Sequence, residues 1–332
     1  MKAMLMTAVK EPLVTRDIPD PQPGPGQVRI RLHATGVCGT DVHVWHGELP
    51  VPLPIVPGHE PVGEIDMLGP GVRSVKVGDH VGVGWFQAGC GRCTYCQKKQ
   101  VKFCAEPKTW ITNGGGYAEY MIAEADGCTL LPDNLPWETA APLFCSGFSA
   151  MSAYRAGKPQ PGERIAVIGI GGLGHLAVQI AKAMGHPVIA ITNSADKEGD
   201  AREMGADEVL VVKDHAGQEL QGMGGADVVL SFSPSMRQNS QVLQGLRSGG
   251  RFVTTAVSAD PIQADPVQML FKQTSIIGSA QNDTADVVDI VRLVAVGKVK
   301  PRLEIYPIDA INSVLVRLAE GKVRHRAVVT QS

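Results

Sequence analysis

One short loop and its flanks limit the possible folds more than anything else in the chain. Gly169-Ile170-Gly171-Gly172-Leu173-Gly174 stands between a continuous apolar run at 164–168 and a segment of helical spacing at 173–184, which Gly185 ends. A buried strand, a glycine turn and a helix make up the unit that holds the pyrophosphate of a dinucleotide. The glycines allow the tight turn and the close approach of backbone to phosphate, and the anion rests on the helix N-terminus. Gly169, Gly171, Gly172, Leu173 and Gly174 are therefore candidate cofactor contacts.

The alternation continues downstream. Apolar runs at 188–191, 208–212, 226–230 and 251–257 read as strands, and 195–204 and 239–246 as helices, with breaks at Gly205 and Ser248-Gly249-Gly250. Strands alternating with helices predict a parallel, doubly wound sheet. Residues 1–145 differ in character. Short runs at 28–32, 63–68 and 80–83 lie between turns such as Pro23-Gly24-Pro25-Gly26 and Gly69-Pro70-Gly71, so this part is mostly β. Near the end, 284–296 and 308–320 read as helices and 326–329 as a last strand. The fold class expected is α/β: a mostly-β domain over 1–146, a doubly wound dinucleotide-binding domain over 147–282, and a return to the first domain over 283–332. A length of 332 residues agrees with about two domains.

Seven cysteines are too few for a disulfide scaffold at this length. Four of them, Cys90, Cys93, Cys96 and Cys104, share one segment. Four thiolates so spaced can close a tetrahedron around Zn²⁺ and leave no open position, which makes the site structural. The N-terminus reads as lacking a secretory stretch, and no apolar run approaches a membrane span, so a cytoplasmic location with reduced thiols is expected. The formal charge of −2 gives no electrostatic reason to expect nucleic acid or an anionic membrane as partner.

A second group is spread along the chain. Cys38 lies in Gly36-Val37-Cys38-Gly39-Thr40-Asp41, His59 in Pro57-Gly58-His59-Glu60, and Cys145 in Leu143-Phe144-Cys145-Ser146. Two Cys and one His form a known catalytic zinc shell whose fourth position stays open. Taken singly, each residue has an ordinary reading as a buried thiol or a hydrogen-bonded core histidine. Cys128 shows no partner pattern and reads as structural.

With these motifs in this order, the chain resembles the zinc-dependent medium-chain alcohol dehydrogenases over essentially its whole length. It is most similar to the compact microbial members, which are akin to yeast-type and cinnamyl-type enzymes. The resemblance implies a GroES-like catalytic domain and a Rossmann cofactor domain. It assigns Cys38, His59 and Cys145 to a catalytic zinc, and so two zinc ions per chain. It places Glu60 near that metal as a transient ligand and makes Asp41 the carboxylate that orients His59. Thr40 would bond the substrate hydroxyl and start a proton relay that reaches solvent at His43. Trp45 and Trp85 would line the substrate pocket. Arg326 would contact the pyrophosphate, although by itself it reads as a surface arginine. A homodimer or homotetramer joined through cofactor-domain sheets is implied.

The implied reaction is reversible hydride transfer between nicotinamide and a primary or small secondary alcohol, benzylic and allylic ones included. At the end of the second cofactor-domain strand, where NAD enzymes place an acid, stands Thr192, followed by Asn193 and Ser194 with Lys197 nearby. With no carboxylate to repel a 2′-phosphate, the turn favours NADP(H). NAD(H) stays open because no arginine stands there. Gly278-Ser279-Ala280-Gln281-Asn282-Asp283-Thr284 departs from the Gly-Ser…Gly-Thr-Arg run common in the family. The other readings are a polyol or formaldehyde dehydrogenase with a different pocket shape, and a non-catalytic zinc-lobe binding protein.

Overall fold

The computed structural model describes residues 1–331 and divides the chain into two compact units. One runs from Met1 to Ser146 and resumes at Pro301; the other is Gly147–Lys300.

The first unit is organised by one long strand, Gln27–Val37, in which Val28, Ile30, Leu32 and Ala34 alternate inward. Such alternation buries one face against a core and leaves the other free. Glu60–Leu68 lies antiparallel along one edge of this strand. Two strands share the other edge: Tyr120–Glu124 beside its first half and Arg326–Thr330 beside its second. His80–Val83 and Cys128–Leu130 extend the sheet on one side, and Leu303–Pro307 on the other. Register then decides what meets at the strand's end. Gly36 faces Glu60, and Val37 faces Ala327. The chain positions next to these are Cys38, His59 and Arg326.

The second unit is a six-stranded parallel sheet in the order Glu208–Val211, Val188–Thr192, Ile165–Ile168, Ala226–Ser231, Leu246–Thr254, Ser275–Gly278. Ile165–Ile168 and Val188–Thr192 are buried along their whole length, as covered parallel strands must be. The chain leaves Ile165–Ile168 towards one side of the sheet and later crosses to the other. The glycine loop sits at that switch point, where a doubly wound sheet opens a crevice.

Several expected boundaries move for local reasons. The helix expected over 239–246 is Met236–Val242, because the Ser235 hydroxyl caps it by accepting the Gln238 N–H. The last-but-one strand begins at Leu246 and passes through the glycines at 249–250, with its register shifted between Ala226 and Val228. The segment 195–204 divides into a 3₁₀ turn, Ala195–Lys197, and a helix, Glu198–Glu203. The half-buried edge strands Ser275–Gly278 and Leu303–Pro307 carry no continuous apolar run and were not anticipated. The helix Thr284–Ala295 stays with the second unit, so the return begins at Pro301 rather than at 283. It is held there by buried Asp286, which accepts bonds from Ser152 Oγ at 2.5 Å and Arg155 Nη1 at 2.6 Å. Among the described residues no helix is long and apolar enough to cross a membrane.

Two glycines of the loop give a paired test. A Cβ at Gly174 would lie 2.0 Å from the Gly169 carbonyl oxygen, whereas one at Gly171 meets nothing within 4 Å. Gly174→Ala is expected to cost about 1–3 kcal/mol of stability through overpacking. Gly171→Ala should unfold within about 1 kcal/mol of wild type, since only backbone propensity changes. Urea titration of both variants checks this.

Candidate metal and cofactor sites

Cys38 precedes the helix Gly39–Trp45, and Asp41 lies in its first turn. The Asp41 carboxylate serves two masters: Oδ2 accepts the Cys38 N–H at 2.9 Å and Oδ1 pairs with His59 Nδ1 at 3.1 Å. Both side chains are buried. With Nδ1–H donated to Asp41, the Nε2 lone pair of His59 is turned elsewhere, and Nε2 is buried without a partner. Cys38 Sγ and Cys145 Sγ stand 3.8 Å apart. Ligand atoms of Cys38, His59, Glu60 and Cys145 all lie within 4.8 Å of one another. Two sulfurs on a tetrahedral zinc with bonds of about 2.3 Å are about 3.8 Å apart, so the donors present fit that ion.

The charges here act strongly on one another. The Cys145 thiol and the His59 ring together hold the Cys38 thiol well below its ordinary value, against the effect of burial. Cys145 is pushed up by the Cys38 thiol and by burial. Burial pulls His59 down, but Asp41 and Cys38 outweigh it and leave the ring well above its usual value. Glu60 is driven up to about 7 by burial, opposed by Arg326.

Arg326 is where the structure corrects expectation most clearly. It is not a surface arginine. It is 3% exposed, and its Nη2 donates to both Glu60 oxygens at 2.5 Å. The return strand Arg326–Thr330 delivers it there, and Gly36 makes room: a Cβ on Gly36 would lie 2.0 Å from Glu60 Oε2. Thr40 Oγ1 lies 3.8 Å from Cys38 Sγ. His43 is 46% exposed, with Nδ1 2.5 Å from Glu48 Oε2. Trp85 meets the His59 ring edge-on at 5.3 Å, and Trp110 backs Trp85 at 5.6 Å. Trp45 is held differently, its N–H on the Glu11 carbonyl at 2.8 Å and its ring against His46. Sequence reasoning missed Trp110. Its neighbours Lys108–Thr109 pair with Phe86–Ala88, which directly follows Trp85, and only that pairing brings the two indoles together.

The second cluster, Cys90, Cys93, Cys96 and Cys104, also has its sulfurs within 4.8 Å of one another. Backbone N–H groups point at the sulfurs: Cys90 and Glu106 donate to Cys104 Sγ at 3.4 and 3.3 Å, and Cys96 to Cys93 Sγ at 3.4 Å. Such donors favour thiolate. Those of Arg92 and Cys93 bring Cys90 down to about 6. A Cβ at Gly89 would lie 2.3 Å from Cys96 Sγ, so the loop closes on the sulfurs only with glycine there. A Cys₄ zinc fits. Cys128 lies apart, its thiol donating to the Glu124 carbonyl at 3.6 Å and pushed up to about 12 by burial.

In the second unit, Gly169 has φ +90°, and a Cβ there would lie 2.7 Å from the Ser233 nitrogen. Gly172 and Leu173 complete the turn, and the helix Gly174–Ala183 follows. A cleft of about 220 Å³ opens beside this loop; its lining includes Gly169, Gly171, Thr192, Asn193, Lys197 and Ser233. Thr192 Oγ1 accepts the Ser194 N–H at 3.2 Å. The Ser194 hydroxyl donates to the Asp196 carboxylate. The turn thus does hold a carboxylate, contrary to the sequence reading, although neither Ser194 nor Asp196 lines the cleft.

Comparison with known proteins agrees with this geometry. The alcohol dehydrogenase GroES-like domain family matches residues 24–133, and the zinc-binding dehydrogenase family matches 172–295. An alcohol dehydrogenase of Geobacillus stearothermophilus is 38% identical over 334 aligned residues, covering 99% of each chain. The chain belongs to the zinc-dependent medium-chain alcohol dehydrogenase family. Among solved structures, the alcohol dehydrogenase of Aeropyrum pernix superposes with TM-score 0.89 at 29% identity, covering 99% of this chain and 100% of that one. The acetophenone reductase of Geotrichum candidum, solved with NAD, gives TM-score 0.87 at 29% identity over 99% and 96%.

For this family member the Glu60–Arg326 pair makes a measurable statement. Removing one partner of a buried ion pair strands the other charge, at a cost of about 3–5 kcal/mol. Arg326→Met is therefore expected to lower unfolding stability by that amount. A loss under about 0.5 kcal/mol, as for a surface arginine, would contradict the buried pairing.

Proposed function

We propose that the protein catalyses reversible hydride transfer between a primary or small secondary alcohol and NADP(H). The buried Cys38–His59–Cys145 group, with His59 Nε2 orphaned, carries this reading, in a chain whose other unit bears the dinucleotide loop. A zinc ion held there would act as a Lewis acid, lowering the pKa of a bound hydroxyl and, in reverse, polarising a carbonyl. The residues of the chain do the rest. Asp41 fixes the His59 tautomer and ring angle. Thr40 accepts the proton of the substrate hydroxyl and passes it on, and His43, bonded to Glu48, is the solvent end of the relay. Glu60 stands beside the ligands, available to replace one during exchange, with Arg326 holding it. The Trp85 ring beside His59, backed by Trp110, favours flat benzylic or allylic substrates. Trp45, packed against the same apolar cluster as Trp85, would line the pocket with it.

Gly169, Gly171, Gly172, Leu173 and Gly174 would receive the pyrophosphate. Thr192, Asn193 and Lys197 offer a hydroxyl, an amide and an ammonium at the cleft, which supports a 2′-phosphate. NAD(H) is the alternative, since Asp196 stands in the same turn. The helix Pro266–Lys272 leaves Val267, Leu270 and Phe271 60–80% exposed just before Ser275–Gly278, a strand with one unpaired edge. Those features support a homodimer joined edge to edge, or a tetramer built from it. Seven free thiols suit the reducing cytoplasm.

A panel of alcohols and aldehydes assayed with both cofactors tests the proposal. A higher kcat/KM with NADP(H) is expected; preference for NAD would overturn the cofactor choice, and no turnover with either would overturn the reaction. A polyol or formaldehyde dehydrogenase would show its substrate in the same panel. Elemental analysis should give two zinc ions per chain, one per ligand group. Cys38→Ala should retain one and lose turnover by on the order of 10³-fold.

A further inference from the structure

The glycine loop has to hold one peptide plane that glycine itself leaves loose. Gly171 and Gly172 flank the same peptide bond, and a glycine on each side offers little resistance to rotation of the plane. Packing does not hold it at Gly171, where even an added Cβ would meet nothing within 4 Å. The start of the loop is tied down by backbone bonds. Gly169 N–H reaches the Ile191 carbonyl at 3.1 Å, and Gly171 N–H reaches that of Gly169 at 3.0 Å.

The Gly171 carbonyl is held by two donors, both from His175. The His175 backbone N–H lies at 3.1 Å and the ring Nδ1 at 3.0 Å. A carbonyl oxygen only accepts, so Nδ1 carries the proton. Starting the helix needs only the first of these bonds, and the ring donor is an addition to it. His175 stands in the first turn of Gly174–Ala183 and is fully buried, so packing keeps the donor aimed.

We infer that His175 is a positioning residue for the pyrophosphate of the dinucleotide. The C=O and N–H of a trans peptide point in opposite directions, and the peptide between Gly171 and Gly172 is trans. Two donors draw the Gly171 carbonyl back into the helix. The Gly172 N–H is thereby turned out of the helix N-terminus, the end that receives an anion. His175 acts through this peptide and sets the donor in place before the cofactor arrives, which removes part of the ordering cost of binding.

The inference rests on the dinucleotide reading of the loop. His175→Leu and His175→Phe keep apolar bulk and remove the donor, whereas His175→Asn places an amide N–H where Nδ1 stood. Equilibrium titrations of the three variants and the wild type with NADPH, NADH and adenosine test it. Leu and Phe are expected to weaken NADPH and NADH by one common factor of about ten, because both carry the same pyrophosphate. Adenosine, which has no phosphate, should bind as it does to wild type. Asn should return both dinucleotides to within about two-fold of wild type. Wild-type dinucleotide affinity in Leu or in Phe, an equal loss for adenosine, or an Asn variant no better than Leu overturns the inference. A wild-type protein that binds neither NADPH nor NADH overturns the dinucleotide reading and this inference with it.

Discussion

The metal site depends on one carboxylate with two obligations. Asp41 binds the backbone of one ligand, Cys38, and the ring of another, His59. A buried carboxylate so engaged is tolerated only because both its oxygens are satisfied. It couples the start of a helix to the start of a strand 18 residues later, and so sets the distance between sulfur and imidazole before any metal arrives. If Asp41 turned, the free nitrogen of His59 would no longer face the two sulfurs.

Around this bond the sheet supplies the frame. The antiparallel register places Gly36 across from Glu60 and the return strand across from Val37. The final strand therefore contributes a cation to a site whose other members lie in the first half of the chain. Arg326 and Glu60 neutralise one another where water does not reach, and the missing side chain at Gly36 is what permits the contact. The cofactor loop uses the same device. Gly174 packs on the Gly169 carbonyl, so strand and helix approach more closely than any side chain would allow.

Much of this was legible beforehand. The four-cysteine run and the glycine loop are local in sequence, so spacing alone identified them. The parallel strands of the second unit are continuous apolar runs because both faces are covered. Features that depend on pairing were not legible. Trp110 gains its place from the pairing of Lys108–Thr109 with Phe86–Ala88. The edge strands Ser275–Gly278 and Leu303–Pro307 are half exposed and carry no buried run to read. The helix Thr284–Ala295 was assigned to the wrong side of the boundary because its tie, Asp286 with Ser152 and Arg155, spans more than 130 residues.

The sequence by itself determined the ligand types, the dinucleotide turn and the family, since each is written in residue identity at short spacing. Tertiary structure alone decided which charges meet. Arg326, which by itself reads as a surface arginine, is set on Glu60 by strand register, and the turn after the second cofactor-domain strand gives the Ser194 hydroxyl to Asp196. An ionic or hydrogen-bonding side chain reaches only a few ångströms, so its partner is fixed by what the fold brings within that reach, and spacing along the chain carries no record of it.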